Sequence, residues 1–143
     1  MAEFRETVTV NATVADVARV IQDVERWPTW TASMSTVTRH GTGPLAVGET
    51  VSVKQPRLPP STWTVTVCDE TGFTWTSSTP GVRSTGEHWA RDAGDGRTTA
   101  TVALIMNGPL APVTARLYAG LIRRYVRMEA DGLRAEVERL AGA

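Results

Sequence analysis

From Met34 to Met106 the chain is one uninterrupted run of short β-forming segments, and a single long amphipathic helical pattern follows it. That order constrains the fold more than any other feature, because a parallel sheet needs strands that alternate with crossover helices. The segments are Met34–Arg39, Thr50–Gln55, Trp63–Val67, Phe73–Ser78, Val82–Arg91 and Thr98–Met106. Turn formers stand between them: His40 to Pro44 with Gly48, Pro56 with Pro59 and Pro60, Asp69 to Gly72, Pro80-Gly81 and Gly94-Asp95-Gly96. Connections this short join antiparallel neighbours. The fold class is therefore α+β.

Before the run, Phe4, Glu6, Val8 and Val10 alternate with Thr7 and Thr9, which predicts a half-buried first strand over Phe4 to Val10. Thr13 then caps a short helix, since Val14, Val17, Ala18 and Ile21 share one face and Asp16 holds the capping-box position. It ends near Asp23 to Arg26, because Pro28 disfavours helical geometry at Trp27. After the run, Gly108 to Pro112 closes the sheet and opens the last helix. There Val113, Leu117, Leu121, Tyr125, Met128, Gly132, Val137 and Leu140 form a stripe expected to be buried. Arg116, Arg123, Arg127, Glu136 and Arg139 fall on its other faces.

A length of 143 residues suits one domain spanning 1–143, and such a chain buries roughly two-thirds of its unfolded surface. Fifteen basic and fifteen acidic side chains cancel, which argues against a nucleic-acid partner, normally met by a basic surplus. The lone Cys68 has no partner for an intramolecular disulfide, and the charged start Met1 to Glu6 lacks the apolar centre of a signal peptide. A cytoplasmic location is expected. No stretch approaches the ~18 apolar residues of a membrane span. Two distant histidines and one cysteine make no zinc spacing, and no Gly-rich loop opens a helix. Neither metal nor cofactor is expected.

Asp23-Val24-Glu25-Arg26-Trp27-Pro28-Thr29-Trp30, the hairpin segment Phe73 to Ser77, the strand containing His88, and Arg123 to Glu129 together carry a family resemblance. The chain resembles the START-like, helix-grip (SRPBCC) superfamily, and within it the small bacterial polyketide cyclase/dehydrase-type proteins, over nearly its whole length. The resemblance implies a seven-stranded curved antiparallel sheet gripping the C-terminal helix, with two short helices after the first strand closing one end of a cavity for a hydrophobic ligand. Relatives of this kind include cyclases, lipid carriers, receptors and co-chaperones, so function has to be argued from the pocket.

Strand parity supplies a first version of that pocket. A tight turn at Pro80-Gly81 sets Thr79 opposite Val82, Ser77 opposite Ser84, Trp75 opposite Gly86 and Phe73 opposite His88. A tight turn at Asp95-Gly96 sets His88 opposite Ala103 and Gly86 opposite Ile105, and a five-residue connection after Val67 pairs Trp63 with Ser77. The expected concave face is then Trp63, Val65, Val67, Phe73, Trp75, Ala103 and Ile105, with His88 as its polar exception. Gly86 leaves room for the Trp75 indole or for a ligand. Trp89 falls on the outer face with Val102 and Leu104, where a loop or a second copy is expected to cover it.

The expected binding residues are Trp27, Trp30, Trp63, Phe73, Trp75, Ile105, Leu121 and Met128. His88 and Tyr125 are the candidates for proton transfer, each set against a structural role satisfied by one hydrogen bond. Glu129, one turn beyond Tyr125, has a raised pKa if desolvated or is otherwise paired with Arg127 or a neighbouring strand. Arg83 and Arg123 read as solvated charges, and Tyr118 is a weaker donor candidate. The expected partner is a small hydrophobic or aromatic molecule. The protein either assists its cyclisation or dehydration or carries it unchanged, as a monomer or a homodimer.

Overall fold

Ala2–Val10 (β1) opens the chain in the computed structural model, which describes residues 1–142. Helix α1 (Val14–Gln22) follows, and the Thr13 hydroxyl caps it by accepting from the Asp16 N–H at 3.2 Å. A 3-10 helix, Val24–Thr29, carries the chain through Pro28, and the Trp27 carbonyl then accepts from the N–H groups of both Trp30 and Thr31. The helical path thus runs past Arg26, because a single tight turn loses little from the donor that proline lacks.

Six strands come next: β2 (Thr36–Arg39), β3 (Thr50–Lys54), β4 (Ser61–Asp69), β5 (Gly72–Thr79), β6 (Val82–Gly94) and β7 (Arg97–Asn107). They join β1 in one seven-stranded antiparallel sheet ordered β1-β7-β6-β5-β4-β3-β2. The long helix α2 (Ala111–Ala141) lies in the grip of this curved sheet, an α+β helix-grip fold.

The β5–β6 hairpin has the register that turn geometry predicts, with Phe73 paired to His88, Trp75 to Gly86, Ser77 to Ser84 and Thr79 to Val82. Two bulges shift the rest. Between Asp92 and Gly94 one extra residue enters β6, and a run of positive φ at Gly94, Asp95 and Gly96 completes the turn. His88 consequently pairs with Val102 instead of Ala103, and Gly86 with Leu104 instead of Ile105. Because side chains alternate with period two, this one-residue slip turns Val102, Leu104 and Met106 toward the interior and Ile105 away from it. Trp89 then pairs with Thr101, and its indole N–H donates to the Thr74 hydroxyl at 3.0 Å across the outer face. The second bulge lies between Val65 and Val67. It leaves Val67 49% exposed and brings Cys68 opposite Phe73.

Helix α2 also buries a different stripe from the one its largest aliphatic residues suggest. Ala111, Ala115, Ile122, Val126, Ala130, Leu133 and Val137 are buried, whereas Val113 is 58%, Leu117 75% and Leu140 49% exposed. Alanines bring the helix axis close to β1 and β7, and close approach, more than side-chain size, decides which face turns inward. One apolar cluster fills the α1 end of the fold around Val10, Ile21, Trp27, Phe73 and Leu133. A second joins Phe4, Val102 and Met106 to the N-terminal half of α2.

Two glycines of α2 mark how tightly that packing is set. A Cβ on Gly132 would overlap the carbonyl oxygen of Trp30, whereas one on Gly120 would meet nothing within 4 Å. The same substitution should therefore have opposite signs in one helix. Gly120→Ala is expected to stabilise by up to about 1 kcal/mol through helix propensity. Gly132→Ala is expected to destabilise by about 1–3 kcal/mol as the helix is pushed off Trp30. Urea unfolding followed by circular dichroism checks both.

Candidate functional site

A cavity of about 330 Å³ lies between the sheet and the N-terminal half of α2. Its sheet side is built from Val53, Trp63, Trp75, Gly86, His88, Val102, Leu104 and Met106, and its helix side from Thr114, Tyr118, Ile122, Tyr125, Val126 and Glu129. Exposed Pro59, Thr79 and Tyr118 are also part of the lining, so the cavity reaches the surface between the β3–β4 loop, the β5–β6 turn and the first turns of α2. Predominantly apolar walls with a few polar atoms suit a small organic molecule.

Gly86 gives Trp75 its place. A Cβ there would come within 2.7 Å of the indole Nε1, so only glycine lets the ring lie flat along β6. Trp63 stands beside it with ring centroids 5.6 Å apart, and its Nε1 donates to the Ser61 hydroxyl at 2.9 Å. The β3–β4 loop is fixed from two sides. Lys54 Nζ donates to the Gln55 and Leu58 carbonyls at 2.7 and 2.6 Å, and the Tyr125 hydroxyl donates to the Pro56 carbonyl.

His88 is 4% exposed and sits in an aromatic cage, with centroids of Phe73 at 4.7 Å, Trp27 at 4.9 Å and Trp75 at 5.5 Å. Loss of water lowers its pKa to about 3, and a backbone hydrogen bond at Phe73 offsets only part of this. The ring is therefore neutral near pH 7. Its Nδ1 is buried and has no hydrogen-bond partner among the described residues, a condition that buried polar atoms rarely keep.

Glu129 is 8% exposed and borders the same cavity. Desolvation raises its pKa to about 7, against the opposing effect of a hydrogen bond from Ser33. Ser33 Oγ donates to Glu129 Oε2 at 3.3 Å and lies 2.8 Å from Thr31 Oγ1. Each hydroxyl has one proton, so with Ser33 donating to Glu129, Thr31 donates to Ser33. Among the described residues no arginine or lysine pairs with Glu129.

Of the residues expected from sequence, the cavity brings together Trp63, Trp75, His88 and Tyr125. Trp27 and Phe73 lie behind its wall, 1% and 0% exposed, where they cage His88. Trp30 packs on Trp27 at 5.6 Å, within the cluster at the α1 end. Ile105 is turned away by the bulge in β6, and Leu121 and Met128 are turned aside by the rotation of α2, whose Ile122 and Glu129 take their places. Thr31, Ser33 and Met34 gave no sequence signal, because they reach the site only through the path of the chain after the 3-10 helix.

Among the described residues, no cluster of histidine, cysteine, aspartate and glutamate is arranged to hold a metal ion, and no helix is long and apolar enough to cross a membrane.

The family described as polyketide cyclase / dehydrase and lipid transport matches residues 1–138 of the chain. A search of curated proteins gives no match. Among solved structures, a hypothetical protein from Helicobacter pylori, jhp0584, superposes with a TM-score of 0.80 at 11% identity, covering 95% of this chain and 88% of that one. The Zhui aromatase/cyclase of Streptomyces sp. R1128 gives 0.75 at 19% identity, covering 96% and 94%. A norcoclaurine synthase point mutant from Thalictrum flavum gives 0.76 at 13% identity, covering 98% and 96%. At these identities the superpositions establish the fold alone.

The two buried titratable groups oppose each other in their effect on stability. His88, lowered from 6.5 to about 3, makes the folded state gain stability as pH rises from about 3 to 6.5, since the unfolded chain binds the extra proton there. Glu129, raised from 4.5 to about 7, makes the folded state lose stability as pH rises from about 4.5 to 7, because the folded chain holds the proton longer. Denaturant midpoints should rise up to about pH 4.5, stay level, and fall above about 6.5. Glu129→Gln is expected to remove the fall, gaining on the order of 2–3 kcal/mol over the native chain at pH 8 relative to pH 5. Equal midpoints for the native chain at pH 6 and pH 8 would contradict this.

Proposed function

The chain belongs to the polyketide cyclase / dehydrase and lipid transport family and is a hydrophobic-ligand-binding helix-grip protein, and on that premise we propose that it binds a compact, ring-containing metabolite and promotes its cyclisation or dehydration. The observation that carries this reading is the apolar cavity walled by Trp63 and Trp75, with the unpartnered His88 Nδ1 buried at its side. A volume of about 330 Å³ is near the lower end of small-molecule sites. It favours one or a few fused rings over an extended acyl chain. The flat indole faces suit such rings.

The division of labour differs from the one His88 and Tyr125 suggest by residue type. A histidine with a pKa of about 3 is a weak base, and the Tyr125 proton is committed to the Pro56 carbonyl. Glu129, at about 7, has the pKa matched to accepting and returning a proton near neutral pH. In this reading Glu129 removes a proton beside a ligand carbonyl and returns one to the departing hydroxyl. Neutral His88 serves as a hydrogen-bonding wall, and Tyr125 holds the loop at the entrance. Together with positioning by the walls, this is the help that aldol closure and water loss require.

The same two observations on His88 and Tyr125 favour a second reading, in which the protein carries its ligand without changing it. Native mass spectrometry of the purified chain, followed by denaturing extraction, is expected to release a small aromatic or otherwise hydrophobic compound. Gly86→Val, which drives a side chain against Trp75, should weaken binding of an apolar anilinonaphthalene probe by about tenfold or more. Glu129→Gln should leave probe affinity nearly intact and lower turnover of the extracted compound's precursor by about 10²–10⁴. Tight binding with no turnover by the native chain selects the carrier. A chain that is empty and does not bind the probe sinks both readings.

A further inference from the structure

The zero net charge hides a polar distribution of charge along the axis of the molecule. No Asp or Glu occurs from Thr50 to Cys68, from Thr71 to Gly86, or from Gly96 to Met128. Those segments hold the β3–β4 loop, the β5–β6 turn and the first half of α2, which together form the cavity entrance. Lys54, Arg57, Arg83 and Arg116 lie there, and none of the four is in a salt bridge among the described residues. Glu3, at the same end, is already paired with Arg5 at 3.3 Å. Asp69, Glu70, Asp92 and Asp95 lie in or beside the β4–β5 and β6–β7 turns at the opposite end, where Arg91 and Arg97 offset half of their charge.

The cationic end is also where large apolar side chains face water. Leu110 is 51%, Val113 58% and Leu117 75% exposed. They lie on one side of the start of α2, at spacings that make a ridge, and the adjacent ridge of Thr114 and Tyr118 lines the cavity. Leu110 is held in place by its N–H, which donates to the Gly81 carbonyl at 3.0 Å, so the ridge is anchored to the β5–β6 turn.

We infer that this end of the molecule is a docking surface for an anionic lipid membrane, and that the cavity opens directly onto the bilayer. Arginines and exposed leucines on one surface match the two components of such a layer: the phosphate headgroups and the apolar zone beneath them. An acidic protein surface would satisfy the arginines and leave Leu117, the most exposed of these leucines, without a complementary partner. The inference does not depend on which ligand the cavity takes or on whether chemistry follows.

Flotation of the full chain with vesicles tests it. Binding is expected to phosphatidylcholine vesicles containing phosphatidylserine, to be weak with phosphatidylcholine alone, and to fall steeply with added salt. Leu117→Glu and Arg116→Glu should each weaken binding by about tenfold or more. Both side chains are exposed, so unchanged circular dichroism and melting temperature confirm that the variants fold. Leu140→Glu, at the other end of α2, should bind as the native chain does. No flotation at low salt overturns the inference. So does binding that Leu117→Glu leaves unchanged, and if soluble polyglutamate then competes fully, the surface is one for an acidic protein instead.

Discussion

The packing of Trp27 against the sheet is the contact on which the rest of the architecture depends. Its ring meets Trp30, Phe73, Trp75 and His88 at once, with centroid distances of 4.9 to 6.1 Å, and its Nε1 donates to the Ile21 carbonyl at 3.0 Å. A side chain of this size contributes through area and through favoured tilted ring geometries. Its position also decides the chemistry nearby. By filling the α1 end of the concave face it confines the cavity to the other end, strips water from His88, and fixes the start of the segment that delivers Thr31 and Ser33 to Glu129. One core residue thus sets the boundary, the dielectric and a hydrogen-bond chain of the site without lining it.

That boundary has an electrostatic consequence for the ligand. Near neutral pH His88 carries no charge and Glu129 is poised between its forms, so the interior offers no cation to hold an anionic head. A carboxylate placed there would meet a partly ionised Glu129 in a medium that screens poorly. A neutral molecule bearing hydroxyl or carbonyl groups meets no such repulsion, and it can hydrogen-bond to a protonated Glu129. On the proposed reading, selection by the interior then runs toward neutral, flat and compact molecules, since no lysine or arginine lines the cavity.

Much of this was legible in the chain itself, and the failures have specific physical causes. The order of segments was enough for the antiparallel sheet and the final helix, and Pro80-Gly81 fixed the pairing of Phe73 with His88 and Trp75 with Gly86. The second hairpin misled because Gly94-Asp95-Gly96 contains residues for both a two-residue turn and a bulge. A one-residue choice between them exchanges Ile105 for Leu104 at the pocket. In α2 the largest aliphatics pointed to the wrong face, since the points of close approach are the alanines at 111, 115 and 130, whose small side chains carry little apolar signal. The Thr31-Ser33-Glu129 chain was beyond reach from sequence, because it joins positions almost a hundred residues apart through a turn whose path only tertiary packing defines.

A summed charge of zero is silent about surfaces, because the sum discards position. The exposure of Leu117 gives position its meaning. A leucine left in water contributes nothing to folding, and burial of another face of α2 shows that the helix had no need of it there. For an apolar ligand the location of that ridge matters energetically. Every 100 Å² or so of apolar surface that crosses open water on its way to the cavity costs about 2.5 kcal/mol. An entrance set against an apolar phase removes that barrier in both directions, and does so without changing the affinity of the cavity itself. Cations around the entrance then act on encounter and orientation, while the walls around Trp63 and Trp75 decide what stays.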